Sequence, residues 1–401
     1  MSATDRSTPP GHRDVVVVAA GAVPFQRQSE LAVDELAAAA IRTTLAQAPI
    51  ARGYIDEVYL GTAKGGSLLG QRSLRYAALA NGLPVFNVES ACASSGVAFH
   101  LAHRSIASGI VDCALVVGVD KLSLLGSGAL PVQDTEWEGS VGVSNPIVYA
   151  LRARRYMFET GATREDLARM AVKSRKFASM NPIAQMRSPV TLDEVLGSRM
   201  VSDPLTLLQC SPKSDGAAAL VLMSHELADR CDLRGPRVRA STVRSGTFSL
   251  AARDLTKPDV TRRAAEAAFE QAGLGPSDLD VVELHDAFSI AELVYTEELG
   301  LCADGGAAEL LNSGRSSSLA DDGCAVVNPS GGLLGRGHPI GATGAAQLVE
   351  CVSQLNGTAG PRQKANARLA LAHVSGGGAS GFDSGACSVT ILEAAAGGGR
   401  S

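Results

Sequence analysis

The chain reads as an α/β protein made of two halves with the same order of elements and a helical segment inserted into the first. Three observations predict this. Short, continuously apolar runs alternate with helical patterns from Val15 to Val119, and the alternation restarts at Arg262. Between them, from Leu122 to about Pro212, the chain turns polar and rich in Arg and Met. Strands that are apolar at every position read as a parallel sheet covered by helices on both faces.

In the first half the pattern predicts a strand at Val15–Val18, a helix over Leu31–Ala46, a strand at Glu57–Leu60 and a helix near Ser73–Ala80. A helix opening at Cys92 and a strand at Ala114–Val119 follow. The second half repeats this with a helix to Ala272, a strand at Val281–Leu284, helices over Ser289–Leu299 and Gly341–Leu355, and strands at Leu369–Ala372 and Ser388–Leu392. Within the insertion, Thr163-Arg164-Glu165-Asp166 is an N-cap with acids in the first turn, and Asn181-Pro182 is a turn. The resulting division is a tail at 1–14, a first half at 15–260 containing the insertion 122–212, a second half at 261–395, and a tail at 396–401.

Composition narrows the function classes. With 401 residues and 45% hydrophobic content the chain can bury a large core. A net charge of -5 without a basic run argues against nucleic acid. No apolar stretch reaches the roughly 18 to 20 residues of a membrane span, so a cytoplasmic, non-membrane protein is expected. The eight cysteines include no C-x-x-C pair and no metal-type spacing, so no metal is expected.

Three segments carry the chemistry: Ser90-Ala91-Cys92-Ala93-Ser94, His285-Asp286-Ala287-Phe288, and Gly337-His338-Pro339 followed by Ile340-Gly341-Ala342-Thr343-Gly344. A cysteine opening a helix feels unpaired N–H groups and the positive end of the helix dipole, which lower a thiol pKa. Its small neighbours leave room for a thioester. His338 sits among glycines, where backbone approaches a ligand closely, although G-H-P alone also suits a plain turn. His285 ends a strand, with Asp286 able to fix its ring, and His373 ends another before Ser375-Gly376-Gly377-Gly378, a potential anion nest or a surface loop. Cys92 and His338 each precede a helix and a strand, which places both at one cleft if the halves are a true repeat.

Together these segments resemble the thiolase superfamily, specifically the sterol-carrier-protein-type thiolases, with H-D-x-F where other thiolases have N-E-A-F. Asn145-Pro146-Ile147, Ser214-Asp215-Gly216 and Asn328-Pro329-Ser330-Gly331-Gly332 extend the resemblance over nearly all of Val15–Leu392. It implies two βαβαβαββ halves in a five-layer α/β/α/β/α arrangement, a homodimer or tetramer, no bound cofactor, and a coenzyme A thioester as substrate. It also implies an acyltransferase of the acetyl-CoA acetyltransferase or 3-ketoacyl-CoA thiolase kind. Cys92 would be the acylated nucleophile and His338 its base. His285 and His338 would hold the enolate oxygen, and the N–H groups of Cys92 and Gly376 would hold the tetrahedral intermediate. Phe288 completes the H-D-x-F motif.

The chain departs from the pattern at one function. The second cysteine of thiolases falls either in a C-terminal loop, where Val374 stands, or inside H-D-C-F, where Ala287 stands. Neither residue transfers a proton, which leaves His285 or His373, with Ser375, to act as the acid. The alternatives are acyl transfer to an already activated carbon nucleophile, or a retro-aldolase or lipid-binding subunit with a small partner having an OB-fold and zinc ribbon. Retention of both Cys92 and His338 argues against a carrier, which needs neither.

Overall fold

A computed structural model describes residues 13–395 apart from 49, 51, 80, 81, 127, 131–139, 248–253 and 379–383. The expected tails thus fall outside the described residues, save for positions 13 and 14. The first half runs β1 (Val15–Ala22), α1 (Val33–Leu45), β2 (Glu57–Gly61), α2 (Leu69–Ala77), β3 (Val85–Val88), α3 (Ser94–Ala107) and β4 (Cys113–Lys121). The insertion holds α4 (Asn145–Thr160), α5 (Arg164–Ser179), α6 (Leu192–Gly197) and the small pair β5 (Met200–Ser202) and β6 (Leu205–Thr206). Then come β7 (Asp215–Ser224) and α7 (His225–Arg230). The second half is β8 (Arg237–Ser245), α8 (Asp259–Ala272), β9 (Val281–Glu283), α9 (Ser289–Glu298), α10 (Ala307–Asn312), β10 (Val326–Val327), α11 (Gly332–Arg336), α12 (Thr343–Leu355), β11 (Leu369–Gly378) and β12 (Ser384–Glu393).

Hydrogen bonding links the long strands in the order β10-β9-β11-β12-β8-β1-β7-β4-β2-β3. Read outward from the centre, β1-β7-β4-β2-β3 and β8-β12-β11-β9-β10 are the same arrangement twice, joined by the pairing of Val16 with Arg237. The repeat therefore opens at β8, upstream of the expected boundary at 261. The sheet is mixed, where a parallel one was expected. β3, β2 and β4 run parallel, as do β10, β9 and β11, but β4–β7–β1 and β11–β12–β8 are antiparallel. The apolar runs could not reveal this, because β7 is buried at all ten positions and shows no alternation. Direction is set by connection: the chain from Gly378 to Ser384 is too short for a crossover, so β11 and β12 pair antiparallel.

Three apolar cores separate five layers. One lies between α1 and the sheet of the first half, around Ile41, Leu60 and Val221. Another lies between α8–α9 and the sheet of the second half, around Ala264, Leu293 and Ile391. The central core joins strands of both halves to α3 and α12 through Phe99, Ile106, Leu348 and Leu220. In the insertion, Thr163 caps α5 as expected: its Oγ1 accepts from the Asp166 N–H (3.2 Å) while Asp166 accepts from the Thr163 N–H (2.9 Å). No helix among the described residues is long and apolar enough to cross a membrane.

Candidate active site

Cys92 stands on a single 3-10 turn, Ala91–Ala93, and α3 begins two residues later at Ser94. The turn is sharp, since Ala91 has φ +48°, a left-handed conformation costly for a residue with a Cβ. Three bonds hold it there. The Ser94 hydroxyl donates to the Ala91 carbonyl (2.6 Å) and accepts from the Ser90 N–H (2.9 Å), and the Glu89 carboxylate accepts from the Ala91 N–H (2.8 Å). Beneath the turn runs Gly376, where a Cβ would lie 2.3 Å from the Ser90 carbonyl oxygen and 2.6 Å from the Ala93 nitrogen. Only glycine permits that approach.

His338 comes from the pseudo-equivalent place in the second half, ahead of a 3-10 turn at Ile340–Ala342 and then α12. Its Nε2 lies 3.4 Å from Cys92 Sγ. Behind it, Nδ1 lies 2.7 Å from Thr343 Oγ1, and the Thr343 hydroxyl donates to the Pro339 carbonyl at 3.1 Å. With the single hydroxyl proton given to Pro339, His338 Nδ1 carries the hydrogen and Nε2 presents its lone pair to the thiol; were Thr343 to donate to Nδ1, the tautomer would be the opposite one. The loop is fixed by the His338 N–H donating to Ser214 Oγ (2.9 Å) and the Gly341 N–H donating to buried Asp120 (2.6 Å). Asp120 also accepts from Thr62 and from the N–H groups of Ala63 and Lys64, tying this loop to the first half.

His285 packs edge-on against His338, ring centroids 5.1 Å apart, and a nitrogen of each ring lies with Cys92 Sγ in a group whose members are all within 4.8 Å of one another. The remaining expected residues stand back from this group. His373 accepts the His285 backbone N–H at Nδ1 (3.5 Å), which puts its hydrogen on Nε2, directed to Thr261 Oγ1 at 3.2 Å. Both its nitrogens are thus engaged in supporting the strand end. Asp286 accepts the Leu333 N–H (2.7 Å) against Gly332 and makes no hydrogen bond to the His285 ring. Ser375 donates to Ser384 (2.5 Å), and Phe288 stacks on Tyr149 with centroids 4.5 Å apart.

Burial decides the electrostatics. It pushes the Cys92 thiol up to about 12, outweighing the lowering by the Gly377 and Cys92 N–H groups, with Asp120 raising it further. This runs against the expected low thiol pKa, because burial of the charged form outweighs what the neighbouring amides give back. Burial, with the Arg336 charge, pushes His338 down to about 3, and burial and the neighbouring histidines hold His285 well below its usual range. The resting pair is a neutral thiol beside a neutral imidazole. The backbone amides of Gly377 and Cys92 both act on the sulfur. Thr343 and Ser94 escaped the reading of the sequence although both lie within the quoted motifs, because their roles depend on which neighbour each hydroxyl meets.

Comparisons with known proteins agree with this geometry. A family model described as the thiolase N-terminal domain matches residues 15–226, and one described as thiolase C-terminal domain-like matches 242–387. The benzoylsuccinyl-CoA thiolase subunit BbsB of Thauera aromatica is 40% identical over 91% of this chain and 95% of its own. Acetyl-CoA acetyltransferase of Methanothermobacter thermautotrophicus is 38% identical over 91% and 97%. Sterol carrier protein 2 of Gallus gallus is 36% identical over 90% of this chain and 69% of its own. Among solved structures, the Ltp2-ChsH2(DUF35) aldolase superposes with a TM-score of 0.81 at 27% identity over 97% of this chain and 99% of its own.

Proposed function

The chain belongs to the thiolase family of acyl-CoA acyltransferases, and from that premise we propose that it cleaves or forms 3-ketoacyl-CoA thioesters through an acyl-Cys92 intermediate. The observation that carries this is the 3.4 Å approach of Cys92 Sγ to a His338 Nε2 whose lone pair is aimed by Thr343. As Sγ adds to the substrate carbonyl its proton passes to His338, so that charge develops only during attack. The N–H groups of Cys92 and Gly377, with Gly376 beneath, are the donors for the tetrahedral oxyanion, and His285 with His338 for the thioester enolate. Coenzyme A thiol then takes the acyl group, and Cys92 recovers its proton from His338.

Intact-mass measurement after incubation with acetyl-CoA or acetoacetyl-CoA tests this. One acyl adduct is expected, absent from Cys92→Ser. No adduct from short and medium acyl-CoAs, or equal labelling of the variant, would defeat it. A partner subunit is the second feature proposed. It is favoured by two names, one relative being described as a subunit and the similar aldolase being a complex with a DUF35 protein. Co-purification would then be needed for full activity.

A further inference from the structure

The proton that must reach the substrate's α-carbon has no donor among the positions where the family motif would put one. Ala287 and Val374 cannot give it, both nitrogens of His373 are engaged, Ser375 is bonded to Ser384, and the Cys210 thiol points to the Thr206 carbonyl (3.4 Å). Tyr149, on α4 of the insertion, is differently placed. Its ring stacks on Phe288, immediately after Ala287, and the Arg152 guanidinium lies 4.9 Å from the ring centroid. Its hydroxyl lies 3.3 Å from that of Tyr295, a fully buried side chain on α9 whose ring in turn packs on His373 at 4.7 Å. Either hydroxyl can be the donor in that bond, and where Tyr295 donates, the Tyr149 O–H keeps its own proton to give. Burial, before any neighbouring group, holds the Tyr149 phenol well above its usual range and therefore protonated at neutral pH, with Tyr295 and Cys92 among the groups that raise it further.

We propose that the Tyr149 hydroxyl, backed by Tyr295, is the acid and base for the substrate's α-carbon, in place of the second cysteine. The assignment rests on the acyl-Cys92 reading. In cleavage, Sγ adds to the 3-keto carbon and the C2–C3 bond breaks, its electron pair leaving as the enolate of the departing thioester. The Tyr149 O–H bond supplies the proton to C2 and a phenolate remains. The phenolate takes the proton of the incoming coenzyme A thiol, and that thiolate attacks acyl-Cys92, whose departing sulfur is reprotonated by His338. Condensation is the reverse, and no further proton carrier is required.

The test separates the two half-reactions. Acetyl-CoA is incubated with enzyme in D2O, deuterium entering the methyl group is followed by mass spectrometry, and Cys92 acylation is measured on the same samples. Tyr149→Phe should slow exchange, and acetoacetyl-CoA cleavage, by about 10²- to 10⁴-fold while acylation stays near wild type. Tyr295→Phe, which removes only the supporting bond, should slow exchange about fivefold. A Tyr149→Phe enzyme that is acylated and exchanges at the wild-type rate overturns the assignment. So does a wild type that is acylated but exchanges nothing, which leaves the acyl-Cys92 reading standing. A wild type that is never acylated overturns that reading and this one with it.

Discussion

At the residue scale, a thiol pushed up to about 12 and an imidazole pushed down to about 3 are matched for transfer during attack rather than for a resting ion pair. The sign of the pH dependence follows. His338 stays in its basic form until pH falls toward 3, and Cys92 ionises unaided only as pH nears 12. Acylation should therefore be flat between about pH 5 and 9, without the limb near 6.5 that an ordinary imidazole gives. Stopped acylation assays across that range check it, and a limb centred near 6.5 would show an exposed, ordinary ring. Thr343→Val tests the aiming of Nε2. It strands a buried Nδ1–H, at a cost of about 1–3 kcal/mol, so acylation should fall roughly tenfold or more without loss of fold. The meeting of Cys92, His338 and His285 was legible in the sequence because acyl-transfer chemistry confines its candidates to few residue types. The withdrawal of His373 and Asp286 was not, since a strand end fixes where a side chain starts and not which neighbour claims its nitrogens or oxygens.

At the scale of elements, close approach governs how the site is held. β2 meets the start of α3 at Gly61, where a Cβ would lie 2.4 Å from the Ser95 nitrogen and 2.6 Å from the Ser94 carbonyl carbon. Gly61→Ala should cost about 1–3 kcal/mol by forcing these backbones apart. Gly197→Ala, with open space around it, should stay within about 0.5 kcal/mol of wild type. Chemical denaturation of both variants compares them directly. Helices were read from the sequence to within a few residues because amphipathic spacing and caps mark them: Leu31–Ala46 became Val33–Leu45, and Thr163 is the cap. β3, β8 and the short strands β5, β6 and β10 were missed. Val85–Val88 is short and half exposed, and Arg237–Ser245 mixes charged and hydroxyl side chains, so neither has the continuous apolar character by which the others were found.

At the scale of the whole molecule, β3 ends the sheet with Phe86 45% exposed and, among the described residues, no strand beyond it. An open edge carrying an aromatic is unstable against pairing, and it leads directly into the Cys92 turn. A second copy covering Val85–Gly96 is the expected solution, and light scattering should report a dimer or larger. A fully active monomer would refute it. The doubling of the fold was visible in the recurring order of elements, whereas strand direction was not, since burial on both faces erases the alternation that would distinguish the strands.

Cys92 and His338 belong to different halves, so their separation measures how the two halves are seated on each other. An error of about 1 Å between reacting atoms costs on the order of 10²-fold in rate. Close packing of α3 against α12 and the anchoring of Gly341 to Asp120 therefore set the calibration of the catalyst as well as its stability. Substitutions deep in that central layer, far from any substrate, should register first as lost turnover and only later as lost structure.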